Sequence, residues 1–410
     1  MKKFFIALAA ILALSTTGAS ATDYPVIPAP AEYSVTEGQF IVPSQVNICG
    51  TNGVGKETLE NIKRDLEMRG INVDKVSYKE KKNEKNDIFF TKNTQIAPEG
   101  YVLNINQNAV NIEASSEAGF FYAIQTLAQM IDKSAGRSLQ ACHITDYPRY
   151  EYRSLMLDPS RWFIPKEEVL KMIDIASAMK LNKLHLHLSD DNGWRIEIKK
   201  YPKLTEVGAW RVDREEYFPG RINPTEGEPT PIGGFYTQDD MREIVAYAAD
   251  RHVTVIPEID VPAHSAAAIA SYPDLACPVT DKFVGVFPGI GGPDASIILC
   301  AGNEKVYQFY QDVIDELIDI FPSEYIHLGG DEAEKSHWQK CPLCNKRLKE
   351  EGLADFEELQ GYFMDRLNRY VQSKGRKVLA WDEVTLGNPK EETVILGWQG
   401  FGQAAVNFAK

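Results

Sequence analysis

Two adjacent carboxylates, Asp331 and Glu332, close the run His327-Leu328-Gly329-Gly330-Asp331-Glu332. Carboxyl pairs that cleave glycosidic bonds straddle the bond, about 5–5.5 Å apart for retention and about 6.5–9.5 Å for inversion. Sequence neighbours cannot flank a sugar in that way. One of them can serve as the acid only if the nucleophile comes from elsewhere, and a sugar's own 2-acetamido oxygen is such a nucleophile. Glu332 would then protonate the leaving oxygen, while Asp331 would hold the acetamido N–H and stabilise the positive oxazolinium. A neighbouring carboxylate and partial burial are expected to raise the pKa of Glu332, keeping its proton in place.

Such a pair needs a scaffold. After Asp146-Tyr147-Pro148 the pattern alternates between strand-like and helical segments. Strand-like runs occur at Ser154–Leu157, Lys183–Leu188, Val253–Ile259, Tyr325–Leu328, Lys377–Ala380 and Thr393–Leu396. Helical spacing covers Lys166–Met179, Gln238–Arg251, Glu304–Phe321 and Asp355–Ser373. This alternation predicts parallel strands with helical crossovers. Polar or aromatic residues stand at the end of every strand: Asp158 and Arg161, Asp190 and Asp191, Glu258 with Asp260 and His264, Asp331 and Glu332, Trp381 and Asp382, then Trp398. Convergence of strand ends on one face predicts an α/β (β/α)8 TIM-type barrel. A doubly wound sheet would carry a glycine-rich phosphate turn, and none is found.

The preceding region, 22–148, reads as a small α+β domain. Helices are expected at Lys56–Arg69 and Glu117–Ile131, and strands at Ile88–Phe90, Tyr101–Ile105 and Val110–Glu113. Residues 1–21 combine Lys2 and Lys3, an apolar run from Phe4 to Leu14, and Ala19-Ser20-Ala21, which predicts a secretory signal peptide and a periplasmic or extracellular destination. The apolar run is too short for a spanning helix, which needs about 20 residues. The chain has 410 residues, 44 Lys plus Arg against 58 Asp plus Glu, and a net charge of −14. That balance argues against nucleic-acid binding. Apolar content of 44% with 25% charged residues is that of a globular protein rather than a disordered one.

Six cysteines in an exported chain raise the prospect of disulfides. A staple between Cys277 and Cys300 would close a Gly/Pro-rich loop. Cys341-Pro-Leu-Cys344 has zinc-like spacing, but no second pair lies close in sequence, so a local disulfide or two structural thiols is the expectation. Cys49 and Cys142 would be unpaired. His185 and His187 alternate on a strand and could chelate a metal; with no convergent partners evident, packing and hydrogen bonding is the preferred reading. No metal or cofactor is therefore expected.

His-Leu-Gly-Gly-Asp-Glu resembles the signature of the family 20 glycoside hydrolases, the β-N-acetylhexosaminidases. Leu157-Asp158-Pro159-Ser160-Arg161 is similar to that family's first-strand motif. His185 to Arg195 and Pro257 to His264 resemble its second and third motifs, and Phe121 to Leu127 resembles the end of its accessory domain. The resemblance implies that Arg161 forks onto two sugar hydroxyls, a geometry lysine cannot copy. It implies that Asp191 and His264 orient the catalytic pair with Glu258 nearby, leaving open whether Asp190 or Asp191 faces the pocket. It also implies that Trp381 and Trp398 wall the sugar. The substrates implied are glycans with terminal β-linked N-acetylglucosamine or N-acetylgalactosamine, cleaved from the non-reducing end with retention.

Only six strand units can be counted across 149–410, whereas a barrel averages about 31 residues in each of eight units. The expectation is a sequence cut short of its last two units, which in the family supply a tyrosine, an aspartate and a tryptophan–glutamate pair. Two alternatives to a β-N-acetylhexosaminidase stand beside this reading: a glycan-binding protein with an incomplete pocket, and a metal-dependent barrel hydrolase built on His185 and His187.

Overall fold

The computed structural model describes residues 26–78, 87–214, 223–288, 297–400 and 402–408. The expected signal peptide and most of the lysine- and glutamate-rich stretch near residue 80 lie outside them. The chain divides into two compact units, Met1–Arg149 and Tyr150–Lys410.

The first unit is built on β1 (Glu32–Ile41), β2 (Gln45–Thr51), α1 (Lys56–Met68), β3 (Asn72–Ser77), β4 (Ile88–Lys92), β5 (Tyr101–Ile105), β6 (Val110–Ala114), α2 (Glu117–Lys133) and β7 (Ser138–Asp146). Its seven strands form one sheet in the order β1-β7-β5-β6-β4-β2-β3. Tyr101, Leu103 and Ile105 of β5 are buried while Val102 and Asn104 are half-buried, the period of two that a half-covered strand requires. Ser116 caps α2 by accepting the N–H of Gly119, and the helix buries Phe120, Phe121, Ile124 and Leu127 in the core. The sequence pattern did not reveal β1, β2, β3 or β7. Both β1 and β3 are sheet edges with mostly exposed polar residues, so neither carries a hydrophobic signal.

The second unit runs β8 (Ser154–Leu157), α3 (Lys166–Ala178), β9 (Lys183–His187), the hairpin β10–β11 (Ser189–Asp190, Gly193–Trp194), α4 (Lys203–Glu206), β12 (Trp210–Arg211), β13 (Ile232–Gly233), α5 (Gln238–Ala249), β14 (Thr254–Glu258), α6 (Ala266–Ser271), α7 (Glu304–Ile320), β15 (Tyr325–His327), α8 (Ser336–Lys340), α9 (Pro342–Glu350), α10 (Phe356–Ser373), β16 (Lys377–Trp381), β17 (Thr393–Leu396) and α11 (Gln403–Phe408). Six strands form a parallel sheet in the order β17-β16-β15-β14-β9-β8. It is a curled partial barrel, with every expected barrel strand in place and β8 and β17 as its edges. Leu184, Leu186, Val255, Ile326 and Val378 share a buried core with the helix residues Val169, Ile173, Ile244, Val313 and Leu367. His185 and His187 alternate with Leu184 and Leu186 and therefore face the other side, toward the barrel interior. Register completes the arrangement, because Glu258 pairs with both His187 and His327.

Four of the six cysteines depart from the expected pattern. Cys277 and Cys300 form no staple, and Cys341 and Cys344 do not bridge each other. Instead all four free, buried thiols converge. Cys277 Sγ lies 3.7 Å from Cys344 Sγ, and Cys300 Sγ lies 3.8 Å from Cys341 and 3.7 Å from Cys344. The second pair is remote in sequence and adjacent in space.

One buried cation ties the loops above β8 and β9. Arg195, 1% exposed, donates from Nε to Pro159 O (2.9 Å), from Nη1 to Ala209 O (2.7 Å) and Gly234 O (3.0 Å), and from Nη2 to Ser160 O (2.7 Å) and Asn192 O (3.1 Å). A Cβ on Gly193 would stand 2.1 Å from its Nη2, so the guanidinium occupies the space that this glycine leaves. Lysine cannot reach five carbonyls with one ammonium. Arg195→Lys should lower unfolding stability by about 3 kcal/mol, since buried carbonyls left unpaired cost about 1–3 kcal/mol each. Chemical denaturation would measure it, and a change below about 1 kcal/mol would contradict the clamp.

Candidate active site

The strand ends meet at a carboxylate with no solvent exposure. Glu258, at the end of β14, places Oε2 2.9 Å from His185 Nε2 and 2.5 Å from His187 Nδ1, and Oε1 3.1 Å from His327 Nδ1. The Trp381 indole N–H donates to Oε1 at 2.9 Å. Burial alone would raise the Glu258 pKa, but His187 and the other two histidines reverse this and hold it well below the ordinary carboxylate range. Burial likewise disfavours a charged His187, yet Glu258 on one nitrogen and Asp190, 2.8 Å from the other, keep it well above its usual pKa.

From Asp190 the charges continue outward. Arg161 Nη2 lies 2.6 Å from Asp190 Oδ2, and its Nη1 lies 3.0 Å from Asp158 Oδ2. Asp158 also accepts the backbone N–H groups of Ser160 and Arg161, both at 3.0 Å, which turns the chain so that the guanidinium points across the strand ends. Arg161 remains one-third exposed and keeps donor capacity for a ligand.

The Asp331–Glu332 loop is shaped by its neighbours. Gly329 has φ +66°, and a Cβ there would stand 1.7 Å from Asp260 Oδ1. Gly330 has φ +98°, and its Cβ would meet Val384 Cγ1 at 2.2 Å. These contacts account for the paired glycines before the paired acids. The Gly330 N–H donates to Asp260 Oδ1 at 3.1 Å. Burial, reinforced by Asp331, raises the Asp260 pKa well above normal and favours its neutral form. Glu332 adopts φ +49°, and its backbone N–H donates to Glu383 Oε2 at 2.7 Å. Burial, assisted by Asp331 and Glu332, raises the pKa of Glu383 in turn.

His264 joins the two acidic groups. Its Nδ1 lies 3.4 Å from Asp190 and 3.6 Å from Asp191, and its Nε2 lies 3.5 Å from both Asp331 Oδ2 and Glu332 Oε2. Burial works against its charge, but the surrounding carboxylates, Asp190 foremost, hold it well above its usual pKa. This corrects the expectation for Glu332. Its contact with His264, despite opposing burial, lowers its pKa in the unliganded protein. The side chain is 58% exposed, so desolvation is weak and the imidazolium dominates.

The structure therefore gathers Asp331, Glu332, His264, Arg161, Asp191, Glu258 and Trp381. Asp191 lies beneath His264 and accepts the Ala266 N–H at 3.0 Å, whereas Asp190 is the partner of Arg161. Trp381 packs 4.6 Å from the His327 ring and is half-buried. Trp398 is different: the residue is 45% exposed, and its backbone N–H reaches Asp382 Oδ1 at 3.4 Å. Glu383 was missed, although it directly follows Trp381-Asp382. The convergent partners that the sequence did not show for His185 also exist, in Glu258 and His327. Their contacts of 2.9 and 3.1 Å are hydrogen-bond distances.

A parallel barrel sheet that presents an acid pair, a histidine and an arginine at its strand ends is the framework of a (β/α)-barrel glycoside hydrolase. Residues 150–410 match Glycosyl hydrolase family 20, catalytic domain, and residues 23–147 match Glycosyl hydrolase family 20, domain 2. The chain belongs to glycosyl hydrolase family 20. It is 37% identical over 397 residues to a beta-hexosaminidase of Porphyromonas gingivalis, covering 93% of this chain and 48% of that one. It is 38% identical over 327 residues to a beta-hexosaminidase of Vibrio furnissii, covering 79% and 52%. The chain thus spans about half the length of these curated relatives. Among solved structures, a beta-N-acetylhexosaminidase from Bacteroides fragilis superposes with a TM-score of 0.77 at 34% identity, covering 94% of this chain and 73% of that chain. A family 20 exo beta-N-acetylglucosaminidase from Vibrio harveyi, in complex with N-acetylglucosamine, gives 0.79 at 32% identity, covering 94% and 59%.

Two outcomes test this geometry. Gly329→Ala should destabilise the chain by about 2 kcal/mol or more, because a side chain at positive φ would also strike Asp260; an unchanged melting temperature would contradict the packing. His264→Gln should raise the pKa of Glu332 by removing the cation that lowers it. Carbon-13 carboxyl titration reads this directly, and a fall in that pKa would reverse the electrostatic account.

Proposed function

We propose that the protein is an exo-acting β-N-acetylhexosaminidase that releases terminal N-acetylglucosamine or N-acetylgalactosamine with retention, by substrate assistance. The observation that carries this reading is the adjacency of Asp331 and Glu332 on one strained loop, both 3.5 Å from the same His264 nitrogen. Two carboxylates so placed address one side of a scissile bond, which leaves the nucleophile to the substrate's acetamido oxygen. The N-acetylglucosamine bound by the Vibrio harveyi structure, and the names of the relatives, support the substrate class.

In this mechanism Asp331 orients the acetamido group and balances the oxazolinium. Among the described residues its buried Oδ1 has no hydrogen-bond partner, which leaves acceptor capacity on the side chain. Glu332 delivers its proton to the leaving oxygen and then takes one from water. His264 lowers the Glu332 pKa, and a bound sugar covering the exposed carboxyl would oppose that shift by adding desolvation. Arg161, fixed by Asp158 and Asp190, binds sugar hydroxyls. The Trp381 indole, held by Glu258, faces the apolar side of the acetamido group.

We also propose export, on the basic, apolar and small-residue pattern of residues 1–21. Among the described residues no helix is long and apolar enough to cross a membrane. The partners are therefore glycans or glycoconjugates met outside the cytoplasm.

Aryl N-acetyl-β-glucosaminides with poor leaving groups should be hydrolysed, and Glu332→Gln should slow this by about 10²–10⁴-fold. An activated leaving group should suffer much less. The matching aryl β-glucoside, which lacks the acetamido nucleophile, should be cleaved at least about 10²-fold more slowly. Comparable rates on the two sugars would refute substrate assistance, and an unaffected Glu332→Gln variant would refute the acid assignment.

A further inference from the structure

Four buried sulfur atoms lie outside the strand-end site. Cys277 follows the turn Pro273–Leu275, and Cys300 returns beside it through the antiparallel Ala276–Leu299 bridge and the Cys300 N–H to Leu275 O bond of 2.9 Å. Cys341 and Cys344 sit at the start of α9, with Pro342 in the first turn and Cys341 as the residue before it. Each offers one sulfur, and all four sulfurs lie within 4.8 Å of one another.

We propose that Cys277, Cys300, Cys341 and Cys344 bind one structural zinc ion as a tetrathiolate site. The distances fit that ion. A tetrahedron with Zn–S bonds of about 2.3 Å has edges of about 3.8 Å, and the three closest sulfur pairs here stand at 3.7, 3.7 and 3.8 Å. All four ligands are protein sulfurs and all are buried, so no position is open to water or substrate. A closed site of this kind is structural rather than catalytic. The Gly302 N–H is directed at the Cys300 sulfur. Gly302 itself passes so near that a Cβ would stand 2.5 Å from the Cys344 nitrogen, pressing the two halves of the site together.

The site also has a place in the architecture. Trp338, fully buried between Glu332 and Cys341, donates its indole N–H to Leu299 O at 2.7 Å. The Leu299 N–H in turn donates to Pro262 O at 2.9 Å, close to His264. The zinc therefore fastens the loop that carries Asp331 and Glu332 to the loop that carries His264.

Elemental analysis of the full chain, purified without a metal-binding tag and dialysed with zinc and then without it, decides the matter. One zinc per chain is expected, with four sulfur neighbours at about 2.3 Å by X-ray absorption. Treating the folded protein with an organomercurial should release that zinc as the four thiols react. The double variant Cys341→Ser/Cys344→Ser should lose the zinc and melt about 5 °C lower or more, whereas Cys142→Ala should keep one equivalent. Less than about a tenth of an equivalent in the unmodified chain would overturn the proposal, whether the thiols prove to be free or joined as two disulfides. Iron in place of zinc, seen by its visible absorption, would overturn the choice of metal.

Discussion

The second unit is organised around one buried charge. Glu258 has no access to water, and an ionised carboxylate so placed is tolerated only when partners replace its hydration. Its partners come from three other strands: His185 and His187 from β9, His327 from β15 and Trp381 from β16. Sheet register brings these groups level, since Glu258 stands opposite both His187 and His327. The need to satisfy one carboxylate thereby fixes the relative height of four adjacent strands, and with it the loops that follow them.

From that centre the charges alternate in sign toward the surface. Glu258 is followed by the His187 imidazolium, then Asp190, and Asp190 is shared by Arg161 and His264. His264 then reaches Asp331 and Glu332. Alternation is what permits so many ionised groups in a poorly solvated region, because each neutralises its neighbour at short range. Asp260 is the exception. Burial and the neighbouring Asp331 outweigh His264 and His187 there, so its pKa rises and its neutral form is favoured. The two adjacent acids after Gly330 share His264 but differ in surroundings, Asp331 mostly buried beside Asp260 and Glu332 at the solvent edge.

Much of this was legible in the sequence, and the reasons for the rest are physical. The barrel strands announce themselves because both faces are covered: Leu184 and Leu186 pack against the helices while His185 and His187 face the barrel interior. The positions of Asp331, Glu332, Arg161 and His264 follow from standing just beyond such strands. Asp190 and Asp191 could not be separated, since adjacent residues of a tight hairpin point apart and only the turn geometry says which one meets Arg161. The pKa direction of Glu332 was misjudged because a neighbouring carboxylate is visible in sequence, whereas the imidazolium of His264 approaches from another strand. The thiol cluster was hidden for the same reason: Cys277 and Cys300 reach Cys341 and Cys344 only after the loops of two strands have folded over one another.

These long-range contacts explain how the acid loop holds an unfavourable backbone. Gly329, Gly330 and Glu332 all lie at positive φ, and Glu332 has no glycine's freedom to do so. Such a conformation persists only if both ends of the segment are fixed. At the near end, Asp260 accepts the Gly330 N–H and Glu383 accepts the Glu332 N–H. At the far end, Trp338 is locked to Leu299, and Cys341 and Cys344 meet Cys277 and Cys300. The anchors belong to β14, β16 and the segments after them, so no local substitution within the loop could supply the same restraint. The loop's geometry is thus imposed from outside it, which is why two glycines and two acids suffice as its local sequence.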